Sequence, residues 1–122
     1  MVKWKDYFNR IPASVKVNKS TYEVHWIDSF PKDKEQLGES RFNDDEREIV
    51  IKLGQNDKET VKTYWHELCH VASEEYGINL TENQVLKLEN FLKDILTPGN
   101  IFKKGNKSEA NKRKRRYSKR IR

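Results

Sequence analysis

TYWHELCHVASEEYG (residues 63–77) combines a helical spacing of apolar residues with two histidines that flank a glutamate in the pattern H-E-x-x-H. From about residue 58 to 76, Val61, Tyr64, Trp65, Leu68, Val71, Ala72 and Tyr76 fall on one broad arc of a 100°-per-residue wheel. Thr63, His66, Glu67, His70, Ser73 and Glu74 fall on the complementary arc. Asp57 reads as the helix N-cap and Gly77 as its C-cap. Histidines four apart stack one turn above the other, so His66 and His70 can meet a single Zn²⁺ at about 2.0–2.1 Å. Glu67 lies beside that face, where a carboxylate can take a proton from zinc-bound water and pass it to a leaving amine. One and a half turns thus supply two metal ligands and a general base, the pattern of a zinc metallopeptidase.

Outward from this helix, T-E-N-Q (81–84) is a capping box, with Thr81 as cap and Gln84 reaching back. The helix it opens carries Val85, Leu88, Phe91, Leu92, Ile95 and Leu96 on one face, and Pro98-Gly99 ends it. On the N-terminal side, TYEVHWI (21–27) alternates and is rich in β-branched and aromatic residues, which predicts a strand, with SVKV (14–17) as its partner. LGESRF (37–42) and REIVIKL (47–53) flank a polar turn and predict a hairpin. REIVIKL is also a candidate sheet edge along which an extended peptide would bind by strand addition. The expected fold is α+β, a small antiparallel sheet followed by two helices. Cys69 lies nearer the apolar arc and reads as packing.

A third ligand must come from elsewhere. His25, the one remaining histidine, sits in a strand and reads as structural. Glu74 shares the ligand face but lies about 6 Å beyond His70 along the helix, which overshoots the ion, and Glu75 follows it. Glu82 and Glu89 are seven apart on the second helix. A level antiparallel helix pair favours Glu89, and a crossed pair favours Glu82.

The stretch from about 37 to 96 resembles the small zincin-like metallopeptidases of phages and prophages related to the ImmA/IrrE group. The residues that carry the resemblance are Leu37-Gly38-Glu39, Ile49-Val50-Ile51, Trp65-His66-Glu67-Leu68-Cys69-His70, and Leu80-Thr81-Glu82-Asn83-Gln84-Val85 with Leu88. It implies a minimal zincin-like fold, His66 and His70 as ligands, Glu67 as the base and Glu82 as the third ligand. It also implies a zinc-dependent peptidase, phage or prophage encoded, that acts on a protein or peptide substrate.

Charge divides the chain in two. Residues 103–122 hold eleven Lys or Arg against one acid, a local +10 within an overall +6, which leaves −4 on residues 1–102. We therefore expect a peptidase domain over 1–102 and a basic tail over 103–122 with the composition of a solvated, disordered arm. Lys112, Arg113, Lys114, Arg115 and Arg116 are its densest cluster, suited to nucleic acid through counterion release. The alternative function is accordingly a nucleic-acid-binding or structural phage protein in which zinc only braces the fold. One cysteine rules out an internal disulfide and suits a reducing compartment. No apolar run approaches the roughly 20 residues of a membrane span, and the first ten residues lack a signal-like apolar stretch. These features predict a cytoplasmic protein, in the host cytoplasm if phage encoded, with no membrane partner.

Overall fold

Tyr22 and Val24 point to one side of their strand and are buried, while Thr21, Glu23 and His25 point to the other and are exposed. That alternation sets one face of the sheet against the helices. The computed structural model describes residues 3–43 and 45–97. The predicted tail over 103–122, its basic cluster and the helix-ending Pro98-Gly99 lie outside the described residues.

The strands are β1 (Ser14–Val17), β2 (Ser20–Ile27), β3 (Gly38–Asn43) and β4 (Glu46–Lys52), in the order β1-β2-β4-β3. The α+β class is as expected, but the sheet is mixed. β1–β2 and β3–β4 pair antiparallel, whereas β2 and β4 run parallel with Val24 opposite Ile49 and Trp26 opposite Ile51. A parallel pair needs a crossover connection. Residues 28–37, anchored by the buried Phe30, and then β3 itself provide it. β4 is therefore interior, and REIVIKL is not the sheet edge. Ile49, Val50 and Ile51 are buried in succession, in keeping with a strand flanked by β2 on one side and β3 on the other. The edge strands are β1 and β3.

Of the three helices, α1 (Trp4–Asn9), α2 (Asp57–Tyr76) and α3 (Glu82–Leu96), α2 packs on this sheet, and α1 and α3 pack against α2. α1 is a short addition that the sequence pattern does not announce. Lys3 N donates to Asp6 Oδ2 at 2.7 Å to start it, and Trp4 and Tyr7 set their rings 5.8 and 6.0 Å from that of Trp65 on α2. α2 begins one residue earlier than expected. Asn56 is the cap, its side chain accepting from Glu59 N at 2.8 Å, and Asp57 is the first helical residue, where an acid also favours the helix dipole. The core joins Tyr22, Val24, Ile49 and Ile51 of the sheet to Tyr64 and Val71 of α2. Each such side chain contributes roughly 1.5–3 kcal/mol by leaving water.

The turn between α2 and α3 fixes where α3 starts. Gly77 takes a left-handed backbone at φ 63°, as a C-cap glycine does, and Asn79 another at φ 51°. Leu80 N donates to Ser73 Oγ at 2.8 Å, which folds the loop back onto α2. Thr81 and Gln84 form the expected capping box, and the fully buried Val85 pins the first turn of α3. The first residue of α3, Glu82, is thereby held over the polar side of α2.

Candidate metal centre

His66 and His70 lie one turn apart on α2 with their Nε2 atoms 3.3 Å apart. Glu82 Oε1 is 2.8 Å from His66 Nε2, and Glu82 Oε2 is 3.0 Å from His70 Nε2. Among the described residues these three form the one group of His, Cys, Asp or Glu side chains able to hold a metal ion, with ligand atoms all within 4.8 Å of one another. Of the two candidate glutamates, Glu82 joins the Nε2 atoms of both histidines. Glu89 stands on the other edge of His66, its Oε1 3.2 Å from Nδ1. Glu74 and Glu75 are outside the group, and the Glu75 carboxylate is taken up by Tyr22, Ser20 and Arg47. His25 is on the outward face of β2, against Glu23 and Glu48. Cys69 is buried, and burial followed by the charges of Glu89 and Glu67 pushes its thiol up, away from the thiolate a metal needs.

The donor set fits zinc. In a tetrahedral site with zinc–nitrogen bonds near 2.0–2.1 Å, two ligand nitrogens stand about 3.3–3.4 Å apart, the spacing of the two Nε2 atoms. Two imidazoles and one carboxylate are also the ligand set of a catalytic zinc, which keeps a fourth position for water or substrate. The histidine side chains are 16% and 27% exposed and that of Glu82 is 62% exposed, so the meeting point of the three donors is open to solvent on the Glu82 side.

Glu67 is sequestered beside them at 6% exposure. It does not lie on a solvated face of α2. Thr63 and Glu67 are covered by β3, so part of the arc opposite the apolar stripe is also buried. Ser40 Oγ on β3 lies 2.7 Å from Glu67 Oε1 and 3.2 Å from the Glu67 carbonyl oxygen, a donor shared between side chain and backbone. Gly38, two residues earlier on the same face, permits the close approach. A β-carbon there would lie 2.7 Å from Thr63 Cγ2 and 3.0 Å from Glu67 Oε2. Burial raises the Glu67 pKa above the usual carboxylate value, against the opposing Ser40 hydrogen bond and the nearby histidines.

Next to the carboxylate is a cleft of about 280 Å³, walled by Leu37 and Gly38 of the sheet side, Thr63 of α2, and Leu86 and Glu89 of α3. Ser40 and Gly38 are the contributors that the H-E-x-x-H pattern does not point to. A glycine in an otherwise regular strand does signal a close approach, and Ser40 shares its face by the two-residue period. Comparison with protein-family models, with curated proteins and with solved structures finds no match to this chain.

Proposed function

We propose that the protein is a zinc-dependent peptidase of the small zincin-like kind, cleaving a protein or peptide substrate. The observation that carries this reading is the convergence of His66 Nε2, His70 Nε2 and Glu82 within 4.8 Å, with the buried Glu67 carboxylate next in sequence to the first ligand. His66, His70 and Glu82 would hold the ion. Bound zinc supplies a Lewis acid that polarises a peptide carbonyl and makes a water acidic enough to attack at neutral pH.

The chain's own groups do the rest. Ser40 occupies Glu67 Oε1, which leaves Oε2 to accept the proton of the attacking water. The same carboxylate then delivers that proton to the departing amine, a role its raised pKa suits. β3 is an outer strand of the sheet and carries Gly38 and Ser40 past the cleft. An extended substrate adding to that edge would bring its scissile carbonyl alongside Glu67. Leu37 and Leu86 offer apolar walls to the neighbouring side chain.

Metal analysis of the purified full chain tests the reading. Near-stoichiometric zinc is expected, lost in His66→Ala, and a metal-free wild type overturns it. Glu67→Gln should keep the zinc and slow cleavage of a mixed peptide library by on the order of 10²–10⁴-fold, read by mass spectrometry. Zinc retained with no Glu67-dependent cleavage would instead identify a structural ion, as in the alternative of a nucleic-acid-binding or structural protein.

A further inference from the structure

The two acids of α3 treat His66 differently. Glu82 faces its Nε2 at 2.8 Å, and Glu89 faces its Nδ1 at 3.2 Å. Seven residues separate them, two turns on nearly the same face and about 10 Å along the axis. The imidazole is thus gripped at both nitrogens by one helix. Their surroundings also differ: the Glu82 side chain is 62% exposed and that of Glu89 only 14%. A carboxylate so far removed from water needs a donor. Among the described residues, the ionisable nitrogen in contact with it is His66 Nδ1, at 3.2 Å. His70 has no such carboxylate on its own Nδ1 among the described residues, so the arrangement is particular to the first histidine of the motif.

We propose that Glu89 is a positioning residue for His66, an inference that rests on the zinc reading above. A neutral imidazole carries one proton, and the lone pair lies on the other nitrogen. With Glu89 accepting from Nδ1–H, the Nε2 lone pair is directed at the point where His70 Nε2 and the Glu82 carboxylate meet. The hydrogen bond also fixes the ring's rotation and makes Nε2 a stronger donor to a cation. Glu89 is not itself a ligand, because the Nδ1 and Nε2 lone pairs of one ring diverge. An ion on the Nδ1 side of His66 would be out of reach of His70 Nε2.

The test uses the full chain and two readouts. In the metal-free protein at pH 8, long-range ¹H–¹⁵N spectra of the imidazoles should show His66 as the Nδ1–H tautomer. Glu89→Ala should release it toward Nε2–H, and Glu89→Gln, whose amide oxygen still accepts, should preserve it. Competition titration with zinc should give a Kd about 10–100-fold weaker in Glu89→Ala, with a smaller loss in Glu89→Gln. The cobalt-substituted absorption spectrum should keep its shape in both Glu89 variants and change in Glu82→Ala. An Nε2–H tautomer in the wild type, an unchanged zinc Kd in Glu89→Ala, or a changed cobalt spectrum in the Glu89 variants each overturns the proposal. Should the wild type hold no zinc, the peptidase reading fails, while the tautomer readout still decides the role of Glu89.

Discussion

Ser40 and Glu67, 27 positions apart in sequence, are joined by a 2.7 Å hydrogen bond that ties the edge strand β3 to the middle of α2. The same hydroxyl lies 3.2 Å from the Glu67 carbonyl oxygen, so one small side chain fixes both the helix backbone and the carboxylate. This is the contact through which the sheet orients the proposed base. Without it, Glu67 would be a mostly buried carboxylate with one oxygen unsatisfied.

Ser40→Ala should therefore affect the base and spare the metal. Leaving a buried acceptor unpaired costs roughly 1–3 kcal/mol, so the denaturation midpoint should fall. Zinc content should stay at wild-type level, because His66, His70 and Glu82 do not touch Ser40. Peptide cleavage should slow by on the order of 10–100-fold, the usual effect of losing an orienting partner. A Ser40→Ala variant with unchanged kcat would mean that the hydroxyl serves folding alone.

Gly38 gives a prediction whose sign is informative. On intrinsic preference, alanine in a strand is better than glycine. Here its β-carbon would meet Thr63 Cγ2 at 2.7 Å and Glu67 Oε2 at 3.0 Å, so α2 and β3 must move apart. Gly38→Ala should destabilise by about 1–3 kcal/mol in urea denaturation, and Gly38→Val by more. A neutral or stabilising alanine would show that the strand and helix do not press together at this point.

Helix α2 was legible in the sequence because its signals are local. Gly77 ends it, Thr81 and Gln84 cap the next helix, and both histidines fall clear of the apolar arc whatever packs around them. The sheet was legible as strands but not as an order. That β4 lies between β2 and β3 depends on which segments meet in space, and the hairpin reading of 37–53 is equally compatible with β4 at the edge. One local clue pointed inward: Ile49, Val50 and Ile51 form a continuous apolar run rather than an alternation. The choice between Glu82 and Glu89 had no local signature at all. It turns on the tight α2–α3 loop, where Gly77, Asn79 and the Ser73–Leu80 hydrogen bond bring the start of α3 onto the histidines. α1 went unseen because its six residues are held by Trp65, far along the chain.

Glu75 makes the fold sensitive to acid at a point outside the proposed metal site. Tyr22 OH donates to its Oε2 at 2.5 Å, Ser20 Oγ to Oε1 at 2.8 Å, and Arg47 to Oε2 at 2.6 Å, which locks α2 to β2 and β4. The Tyr22 and Ser20 hydrogen bonds, with the Arg47 charge, hold this carboxylate below its usual value of 4.5. A lowered folded-state pKa contributes stability that is complete above the unfolded value and is lost as pH falls through the folded value. Thermal midpoints of wild type and Glu75→Gln should thus differ most at neutral pH and converge on acidification below about pH 4.5. Tyr22 works in the opposite direction. Its hydroxyl is pushed up to about 12, by burial first and then by Glu75, so wild type should lose stability between about pH 10 and 12. Tyr22→Phe should reduce that alkaline loss, leaving the part that the raised Tyr7 and Tyr64 hydroxyls contribute. Parallel acid profiles in wild type and Glu75→Gln would count against the lock.

Zinc should stabilise the chain as well as equip it, because the three ligands come from two helices that an unfolded chain does not bring together. The proposed site includes Glu82 on α3, and α3 is otherwise held through few buried side chains, Val85 being its one fully buried residue. Free zinc at 100 times its Kd adds about 2.7 kcal/mol to the folded state. For a domain of this size that corresponds to a Tm higher by about 10–20 °C, read by circular dichroism with and without a chelator. His66→Ala and Glu82→Ala should abolish the rise, and Glu67→Gln should keep it, since the base is not a ligand. Magnesium and calcium should not replace zinc, because both prefer all-oxygen sites and two of the three donors are imidazoles. The rise separates ligand from base in a single measurement that needs no substrate. A Tm unmoved by zinc in the wild type would remove the metal from the proposed chemistry, whatever the geometry of the two histidines and Glu82.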